Sequence, residues 1–201
     1  MTLPMPLGWR ESLAPETLST EILDCPRGRI TELTGPRSSG RTSALHSILA
    51  ASTGRGESAV LVDTNSAFDP CSAAAAGVDL AKLIWIRCGG NIEHAMRAAD
   101  LVIHSGGFGV IAIDLAEVPE SALMRIPPTA WFRFRRAVEP TPTVLAVVAS
   151  RPVTKSCAAL LGETKRRHVR FAGKLLRGVD YEIAPRKPVG RGSVALYRAA
   201  V

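Results

Sequence analysis

A glycine-bounded loop between an apolar segment and a helical segment is the feature that most restricts how this chain folds. Residues 35–42 read Gly-Pro-Arg-Ser-Ser-Gly-Arg-Thr and follow an apolar run at residues 29–34. Glycine permits a tight turn whose backbone N–H groups point inward, and the next helix adds partial positive charge at its N-terminus. The loop therefore predicts a phosphate-binding site made by Gly35, Pro36, Arg37, Ser38, Ser39, Gly40, Arg41 and Thr42. A loop that only joins strand to helix is the alternative.

Short apolar runs rich in Val and Ile predict a mainly parallel sheet. They occupy residues 29–34, 59–63, 83–87, 110–114 and 144–148. Continuous apolar runs of this length are typical of strands buried on both faces. Helical patterns lie between or after them, at residues 42–52, 91–104, 120–126 and 129–138, and Asn91 is a suitable N-cap for the second. Strand–helix alternation implies right-handed crossovers, so we expect an α/β fold with helices flanking the sheet.

The chain of 201 residues suits a single domain. Its composition suggests an N-terminal segment, a core and a basic extension, at residues 1–24, 25–150 and 151–201. Within the extension we predict a short loop, a helical turn and three short strands at residues 168–171, 179–183 and 194–197. These strands are expected to form an antiparallel extension of the sheet.

Positive charge is concentrated in the last two fifths of the chain. Residues 1–120 contain 9 Lys and Arg against 14 Asp and Glu, a net charge of −5, whereas residues 121–201 contain 16 against 4, a net charge of +12. Such a segment attracts a polyanion, and nucleic acid is the commonest candidate. The alternative is a solvated basic face with no partner.

The candidate DNA contacts are Lys and Arg residues from this basic half. Contacts between such cations and DNA phosphates are sequence-independent and weaken with salt. The candidates are Arg133, Arg135, Arg136, Arg151, Lys155, Lys165, Arg166, Arg167, Arg170, Arg186, Lys187 and Arg191. The aromatic residues interleaved with arginine at residues 130–136 suit stacking on unpaired bases. Their spacing of three and four instead favours an amphipathic helix with Trp131, Phe134 and Val138 on the sheet.

An aspartate ends the apolar run at residues 110–114. There Asp114 would meet a Mg²⁺ ion whose other protein ligand is the Thr42 hydroxyl. One position departs from the usual phosphate loop, since Arg41 stands where lysine normally reaches the outer phosphates. Its planar guanidinium keeps the charge, so we expect phosphate binding to persist and efficient phosphoryl transfer to be lost.

Three stretches, residues 28–42, 62–70 and 76–86, resemble the RecA recombinase core in order and spacing. The likeness extends over about residues 20–118 and implies a RecA-like P-loop fold. It also implies ATP with Mg²⁺ as a weakly bound ligand and single-stranded DNA as a partner. By the same resemblance Asp69 lies near the adenine ring.

The catalytic positions of that family are altered together. Asn65 stands at the position of the water-activating glutamate, and an amide cannot accept its proton. Ala149 or Ser150 stands at the position of the glutamine that senses the γ-phosphate, and Arg41 replaces the lysine. We therefore expect weak or absent hydrolysis, so the chain is interpreted as a degenerate ATPase. The alternative is an active ATP-dependent DNA-binding protein in which Glu117 or Asp63 serves instead.

A short, altered RecA-like chain is similar to the ImuA accessory proteins, which resemble RecA and the division inhibitor SulA. That resemblance implies an accessory role in DNA repair and damage tolerance, namely the SOS response and translesion synthesis, with protein partners from that machinery. A SulA-like regulator that binds protein is a further alternative. A stable filament is not predicted, because Pro4, Pro6 and Pro15 leave room for only a short N-terminal helix.

Other classes find little support in the sequence. The cysteines are widely spaced, at positions 25, 71, 88 and 157, and the four histidines form no metal-binding pattern, so no zinc site is expected. The chain has neither an apolar run of membrane-spanning length nor a signal-peptide pattern. We therefore expect a cytoplasmic protein without membrane partners.

Overall fold

A computed structural model describes residues 16–187 and 195–200, and the side chains of Lys187 and of residues 195–200 lie outside this description. Pro4, Pro6, Pro15 and Arg191 lie outside the described residues. The strands are β1 (Thr17–Ser19), β2 (Asp24–Pro26), β3 (Ile30–Thr34), β4 (Ala59–Asp63), β5 (Leu83–Arg87), β6 (Val110–Leu115), β7 (Val144–Ala149), β8 (Ala158–Ala172), β9 (Leu175–Lys187) and β10 (Ala195–Ala200). The first two form a separate small hairpin, and the other eight form one sheet.

The large sheet has the strand order β10-β9-β8-β3-β7-β6-β4-β5. Every neighbouring pair from β8 to β5 is parallel, which confirms the predicted parallel sheet. Because parallel strands end at the same edge, the segments that follow β3, β4, β6 and β7 meet there. That carboxyl-terminal edge carries the phosphate loop.

Helices cover both faces of the sheet. They are α1 (Arg41–Gly54), α2 (Pro70–Ala75), α3 (Ile92–Ser105), α4 (Glu120–Leu123) and α5 (Pro128–Val138), with a short 3-10 helix at Leu80–Lys82. One apolar cluster joins α1 to the sheet, and a second joins α3 and α5 to the opposite face. Asn91 caps α3 as predicted, accepting from the backbone N–H groups of Glu93 and His94.

Helix α5 is amphipathic. Trp131, Phe134 and Val138 are buried against the sheet, as the spacing of three and four favours. Stacking on bases by Trp131 and Phe134 is therefore wrong, since neither ring is accessible. Arg133 lies on the outer side of the helix, where its Nε is 3.0 Å from Oδ1 of Asp100.

The C-terminal strands form the predicted antiparallel extension. Strand β8 pairs in parallel with β3, and β9 and β10 then follow in antiparallel order. Both β8 and β9 are much longer than predicted, and residues 151–157 contain turns but no helix. The N-terminal hairpin β1–β2 was also not predicted.

Strand β5 differs from the expectation of burial on both faces. It pairs with β4 alone at the end of the sheet, and its side chains are only partly covered. Ile84, for example, is 49% exposed. A continuous apolar run therefore marked a strand correctly but not its place in the sheet.

Candidate functional site

The phosphate loop lies between β3 and α1 at the carboxyl-terminal edge of the sheet. Ser38 (φ 58°) and Gly40 (φ 93°) adopt left-handed backbone conformations, as a loop with inward-pointing N–H groups requires. Gly40 is the N-cap of α1 and, as glycine, contributes no side-chain cap to that helix. Thr42 is exposed at this helix start, so its hydroxyl is accessible to a ligand. The predicted loop therefore has the backbone form of an anion-binding site.

Strand β8 packs directly against one side of this loop. The hydroxyls of Ser39 and Thr164 lie 2.6 Å apart, and the Thr164 hydroxyl also lies 3.1 Å from the Thr34 carbonyl oxygen. A Cβ at Gly35 would lie 2.6 Å from both the Ser39 hydroxyl and the Thr164 carbonyl oxygen. Glycine is therefore required at position 35 because β8 closes the space beside it.

Asp114 lies at the end of β6 and is largely desolvated. Its Oδ1 accepts a hydrogen bond of 2.9 Å from the Ala116 backbone N–H. Burial raises the pKa of the Asp114 carboxyl from 3.8 to about 6, against the opposing effect of that hydrogen bond and of Arg41. A carboxylate that is costly to ionise in the empty protein gains most when a cation binds beside it.

Arg41 points toward the segment that follows β6. The side chain is buried; its Nη1 donates to the Ala116 carbonyl oxygen over 3.1 Å, and its Nη2 lies 3.5 Å from Oε1 of Glu117. The other carboxylate oxygen of Glu117 is 2.5 Å from Nη2 of Arg37. Burial lowers the pKa of the Arg41 guanidinium, which Glu117 and Asp114 partly offset. Both arginines of the loop are therefore already paired with a carboxylate.

The loop after β4 is organised by Asp63. Its carboxylate accepts from the backbone N–H groups of Ala67 (3.0 Å) and Phe68 (3.1 Å) and from Nε1 of Trp85 (3.0 Å). Asn65 lies exposed in this loop. Asp63 is committed to holding the loop in place, which leaves it poorly suited to act as a base.

Asp69 caps helix α2. Its carboxylate accepts from the N–H groups of Cys71 (3.2 Å) and Ser72 (3.0 Å), and hydrogen bonds from Ser72 hold its pKa below the usual value. The preceding Phe68 contacts the rings of His46 and Trp85 edge-on, with centroids 5.7 and 5.2 Å away. These aromatic contacts, which sequence reasoning missed, join the loop to α1 and β5.

Two buried hydroxyls beside Asp114 lack hydrogen-bond partners among the described residues. Thr64 directly follows β4 and Ser150 directly follows β7, the two strands that flank β6. A buried hydroxyl without a partner is costly, and water or ligand oxygens bound at this edge would satisfy both. The residues present therefore fit a Mg²⁺–nucleotide, with Thr42 and Asp114 as the metal-side groups.

A buried glutamate in β3 was not predicted as part of the site. Glu32 is fully buried and accepts from the N–H groups of Val153 (2.6 Å) and Thr154 (3.3 Å) and from the Thr154 hydroxyl. Burial raises the pKa of the Glu32 carboxyl, which these hydrogen bonds partly offset. A charged residue inside a strand that is otherwise uncharged, at residues 30–34, was the sequence signal that could have identified this buried contact. Glu32 fixes residues 151–157, the loop that carries Arg151 and Lys155.

The predicted DNA contacts fall into three places. Lys165, Arg166, Arg167, Arg170 and Arg186 lie on the β8–β9 hairpin, which extends beyond the carboxyl-terminal edge of the sheet. Four of these five have acidic partners: Lys165 and Arg186 pair with Glu163, Arg167 pairs with Glu182, and Arg170 pairs with Asp180. Arg166 is exposed, with no acidic partner among the described residues.

The other candidate cations lie apart from the hairpin. Arg151 pairs with Glu120 over 2.9 Å, and Lys155 is exposed in the same loop. Arg135 and Arg136 lie in the last turn of α5, close to the start of β3, where Arg29 pairs with Glu139. That is the edge opposite the phosphate loop, so these arginines and the hairpin do not form one surface.

Other site types find no support in the residues that the structure describes. Across residues 16–187 and 195–200, no helix has the length and apolar character needed to span a membrane. In the same ranges no three His, Cys, Asp or Glu side chains form a metal-binding group. The four cysteines form no disulfide, and only Cys71 is exposed.

Comparisons with known proteins agree with this geometry. The model of the RecA N-terminal domain matches residues 13–124. Over 130 residues the chain is 36% identical to the protein RecA of Rickettsia prowazekii, covering 59% of this chain and 38% of that protein. Over 132 residues it is 39% identical to the protein RecA of Rhodospirillum centenum, covering 59% and 36%.

Among solved structures, the flagellar accessory protein FlaH from Methanocaldococcus jannaschii has a similar fold. The TM-score is 0.57, the sequence identity is 14%, and the alignment covers 86% of each chain. At this identity the likeness concerns the fold alone. The chain spans less than two fifths of the length of the RecA proteins that it matches.

Proposed function

This chain belongs to the family of the RecA N-terminal domain, whose model matches more than half of its residues, and from that premise we propose that it is a nucleotide-binding accessory protein of DNA repair and damage tolerance. It binds single-stranded DNA through its basic extension and hydrolyses ATP weakly or not at all. An ImuA-like role in the SOS response and translesion synthesis, with partners from that machinery, is the specific form of this proposal.

Nucleotide binding is assigned to the loop at residues 35–42. Its backbone N–H groups and the N-terminus of α1 would hold the phosphates. The Thr42 hydroxyl and the Asp114 carboxylate would hold Mg²⁺, which neutralises phosphate charge when bound. Asp69, at the start of α2, would lie near the base, a role that the family resemblance supports.

The pairing of Arg41 with Glu117 is the main observation that supports weak or absent ATP hydrolysis. The guanidinium is anchored to the Ala116 carbonyl and the Glu117 carboxylate. A cation held in this way is already compensated, so it contributes less to charge that develops on a transferring phosphoryl group. Asn65 adds to this effect, because its amide cannot accept a proton from water.

An active ATPase is the second candidate, and Glu117 is the observation that favours it. This carboxylate lies directly beside the phosphate loop, and its side chain is partly exposed. If Glu117 were released from Arg37 and Arg41, its carboxylate could accept a proton from the attacking water. Asp63 is less suited, because two backbone N–H groups and Trp85 already occupy its oxygens.

Two measurements on the purified chain test the proposal. We expect ATP turnover with single-stranded DNA to equal that of the Asp114→Ala variant. Stimulated turnover that Asp114→Ala or Thr42→Ala abolishes would instead establish the active ATPase.

The second measurement is fluorescence anisotropy with labelled single- and double-stranded DNA at increasing salt. We expect single-stranded binding that weakens steeply with salt, with a logarithmic slope of roughly 0.7 per phosphate contact. Arg166→Glu should weaken it, whereas Arg97→Glu on the exposed side of α3 should not. No binding at low salt would refute the DNA-binding role and favour a SulA-like regulator.

A further inference from the structure

The outer part of the β8–β9 hairpin, residues 165–177, stands free of the rest of the described chain. All of its side chains are exposed except Arg170, which is half-buried. It contains six Lys and Arg residues and no Asp or Glu. It also exposes large apolar side chains, among them Phe171 (63%) and Leu175 (65%). A cationic and apolar projection of this kind needs an anionic partner that also offers apolar surface.

The two faces of this hairpin differ in composition. On one face, cations pair with acids of β9: Arg167 with Glu182 and Arg170 with Asp180. The other face carries three cross-strand pairs in succession, which we name the apolar strip: Arg166–Tyr181, Val169–Val179 and Phe171–Leu176. Directly paired residues project from the same face of a sheet, and the register shifts after Arg166 and after Arg170 keep the three pairs on one side. Val179 is buried, whereas Phe171 and Leu176 at the tip are exposed. The cations Arg167 and Arg170 of the first face are paired within the hairpin, whereas Arg166 of the strip has no acidic partner among the described residues.

The apolar strip starts at the phosphate loop. The pair next to Arg166–Tyr181 on the same face is Thr164–Ile183. Thr164 contacts Ser39 of the loop, and Ile183 belongs to the apolar cluster beneath α1. The strip therefore continues the α1 side of the sheet outward, with its first cation beside the nucleotide site and its aromatic ring at the tip.

We propose that the apolar strip binds single-stranded nucleic acid, with a base stacked on Phe171 and backbone phosphates at Arg166, Lys174 and Arg177. The inference rests on the proposed DNA-binding function and assigns its contact surface. Aromatic rings flanked by unpaired cations are the combination that single strands require, because every base offers a flat face and every nucleotide a phosphate.

Single strands fit this surface better than a duplex. Paired bases are stacked on one another and offer no free face, so a duplex would contact the cations and leave Phe171 in water. Among the described residues, Arg166, Lys174 and Arg177 have no acidic partner that would compete with phosphate. Strand selectivity should therefore depend on the ring at position 171, whereas total affinity should depend on the cations.

The test measures binding of labelled oligo(dT) and of a duplex to variants of the full chain. Phe171→Leu keeps the apolar volume and removes the aromatic face, and Phe171→Tyr keeps that face. We expect Phe171→Leu to weaken oligo(dT) binding about 5- to 150-fold, with duplex binding unchanged. Phe171→Tyr should stay near wild type. Leu101→Ala is the matched control, because Leu101 is equally exposed (68%) on α3.

Several outcomes would overturn this assignment. If wild type binds oligo(dT) and Phe171→Leu binds as well, the strip is refuted while the DNA-binding function stands. If wild type binds neither DNA, both fail together. Binding of the wild type, but not of Phe171→Leu, to anionic lipid vesicles with unchanged DNA binding would assign the strip to a membrane. A sedimentation change confined to the Phe171 variants, again with unchanged DNA binding, would assign it to a second copy of this chain.

Discussion

Glu117 places its carboxylate 2.5 Å from the guanidinium of Arg37, so an anion already stands beside the phosphate loop of this chain. The same side chain reaches Arg41 with its other oxygen. A bound phosphate would compete for the two guanidinium groups that Glu117 now contacts. The loop is therefore compensated before any ligand arrives.

Glu117→Gln should strengthen nucleotide binding. The amide removes the competing charge, and partly exposed ion pairs are worth about 0.2–1 kcal/mol, which corresponds to a gain of roughly 1.5- to 5-fold. Titration with a fluorescent ADP or ATP analogue in the presence of Mg²⁺ measures it. Glu120→Gln is the control, because Glu120 pairs with Arg151 and not with the loop. Equal affinity of Glu117→Gln and wild type would contradict the competition.

Asp114→Asn should stabilise the fold at neutral pH. Burial raises the pKa of Asp114 from 3.8 to about 6. The free energy of unfolding of the wild type therefore falls as the pH rises from about 4 to about 6, and ionisation of Asp114 costs nothing below about pH 4. The full difference corresponds to ~3 kcal/mol. Urea unfolding at pH 7.5 and pH 4 measures it.

The advantage of Asp114→Asn should therefore be present at pH 7.5 and vanish toward pH 4. Asp24→Asn, at an exposed carboxylate of β2, is the control and should change stability by less than ~0.5 kcal/mol. If Asp114→Asn were stabilised by the same amount at pH 7.5 and pH 4, ionisation of Asp114 would not be the cause of the stabilisation. The same variant should lose Mg²⁺-dependent nucleotide binding, so this stabilisation comes at the expense of the site.

Ser39 and Thr164 should behave as one unit. Thr164→Val leaves the buried Ser39 hydroxyl and the Thr34 carbonyl without this partner and should destabilise by about 1–3 kcal/mol, whereas Ser39→Ala leaves the Thr164 hydroxyl bonded to that carbonyl and should cost about 0.5–1.5 kcal/mol. The double variant should cost clearly less than the two single costs combined. Chemical unfolding of the wild type, the two single variants and the double variant completes this double-mutant cycle. Strictly additive changes in the free energy of unfolding would argue against the contact between Ser39 and Thr164.

Glu32→Ala should release residues 151–157. The substitution leaves the backbone N–H groups of Val153 and Thr154 buried without an acceptor, which costs about 2–4 kcal/mol. Limited proteolysis with trypsin should then cleave faster after Lys155, the trypsin site of this loop, because Arg151 precedes Pro152 and is resistant. Glu139→Ala, which removes an exposed partner of Arg29, is the comparison. Unchanged cleavage would mean that other contacts hold this loop.

Local patterns predicted the central fold well. The apolar runs identified β3, β4, β5, β6 and β7, and the polar–apolar period together with Asn91 identified α3. Each of these signals lies within one element and reflects its own burial. The tight bend at residues 35–42 was also predictable, because its glycines encode backbone conformation directly; phosphate binding there stays a prediction.

Contacts between distant residues were not predictable from the same patterns. Ser39 and Thr164 are 125 positions apart, and Arg37 and Glu117 are 80 apart. The length of β8 was underestimated because its residues 165–168 are polar and exposed on both faces, so no alternation marks them as a strand. Pairing with β9, not burial, makes this segment a strand.

The position of β8 has a consequence for how this protein can be shortened. Residues 158–163 are the hydrogen-bonded neighbour of β3, the strand from which the phosphate loop emerges. Truncation at residue 150 would leave β3 as an open edge with a row of unpaired backbone groups, which is a template for intermolecular pairing and aggregation. The basic extension is thus not a detachable tail, and the loop at residues 35–42 cannot be isolated without it.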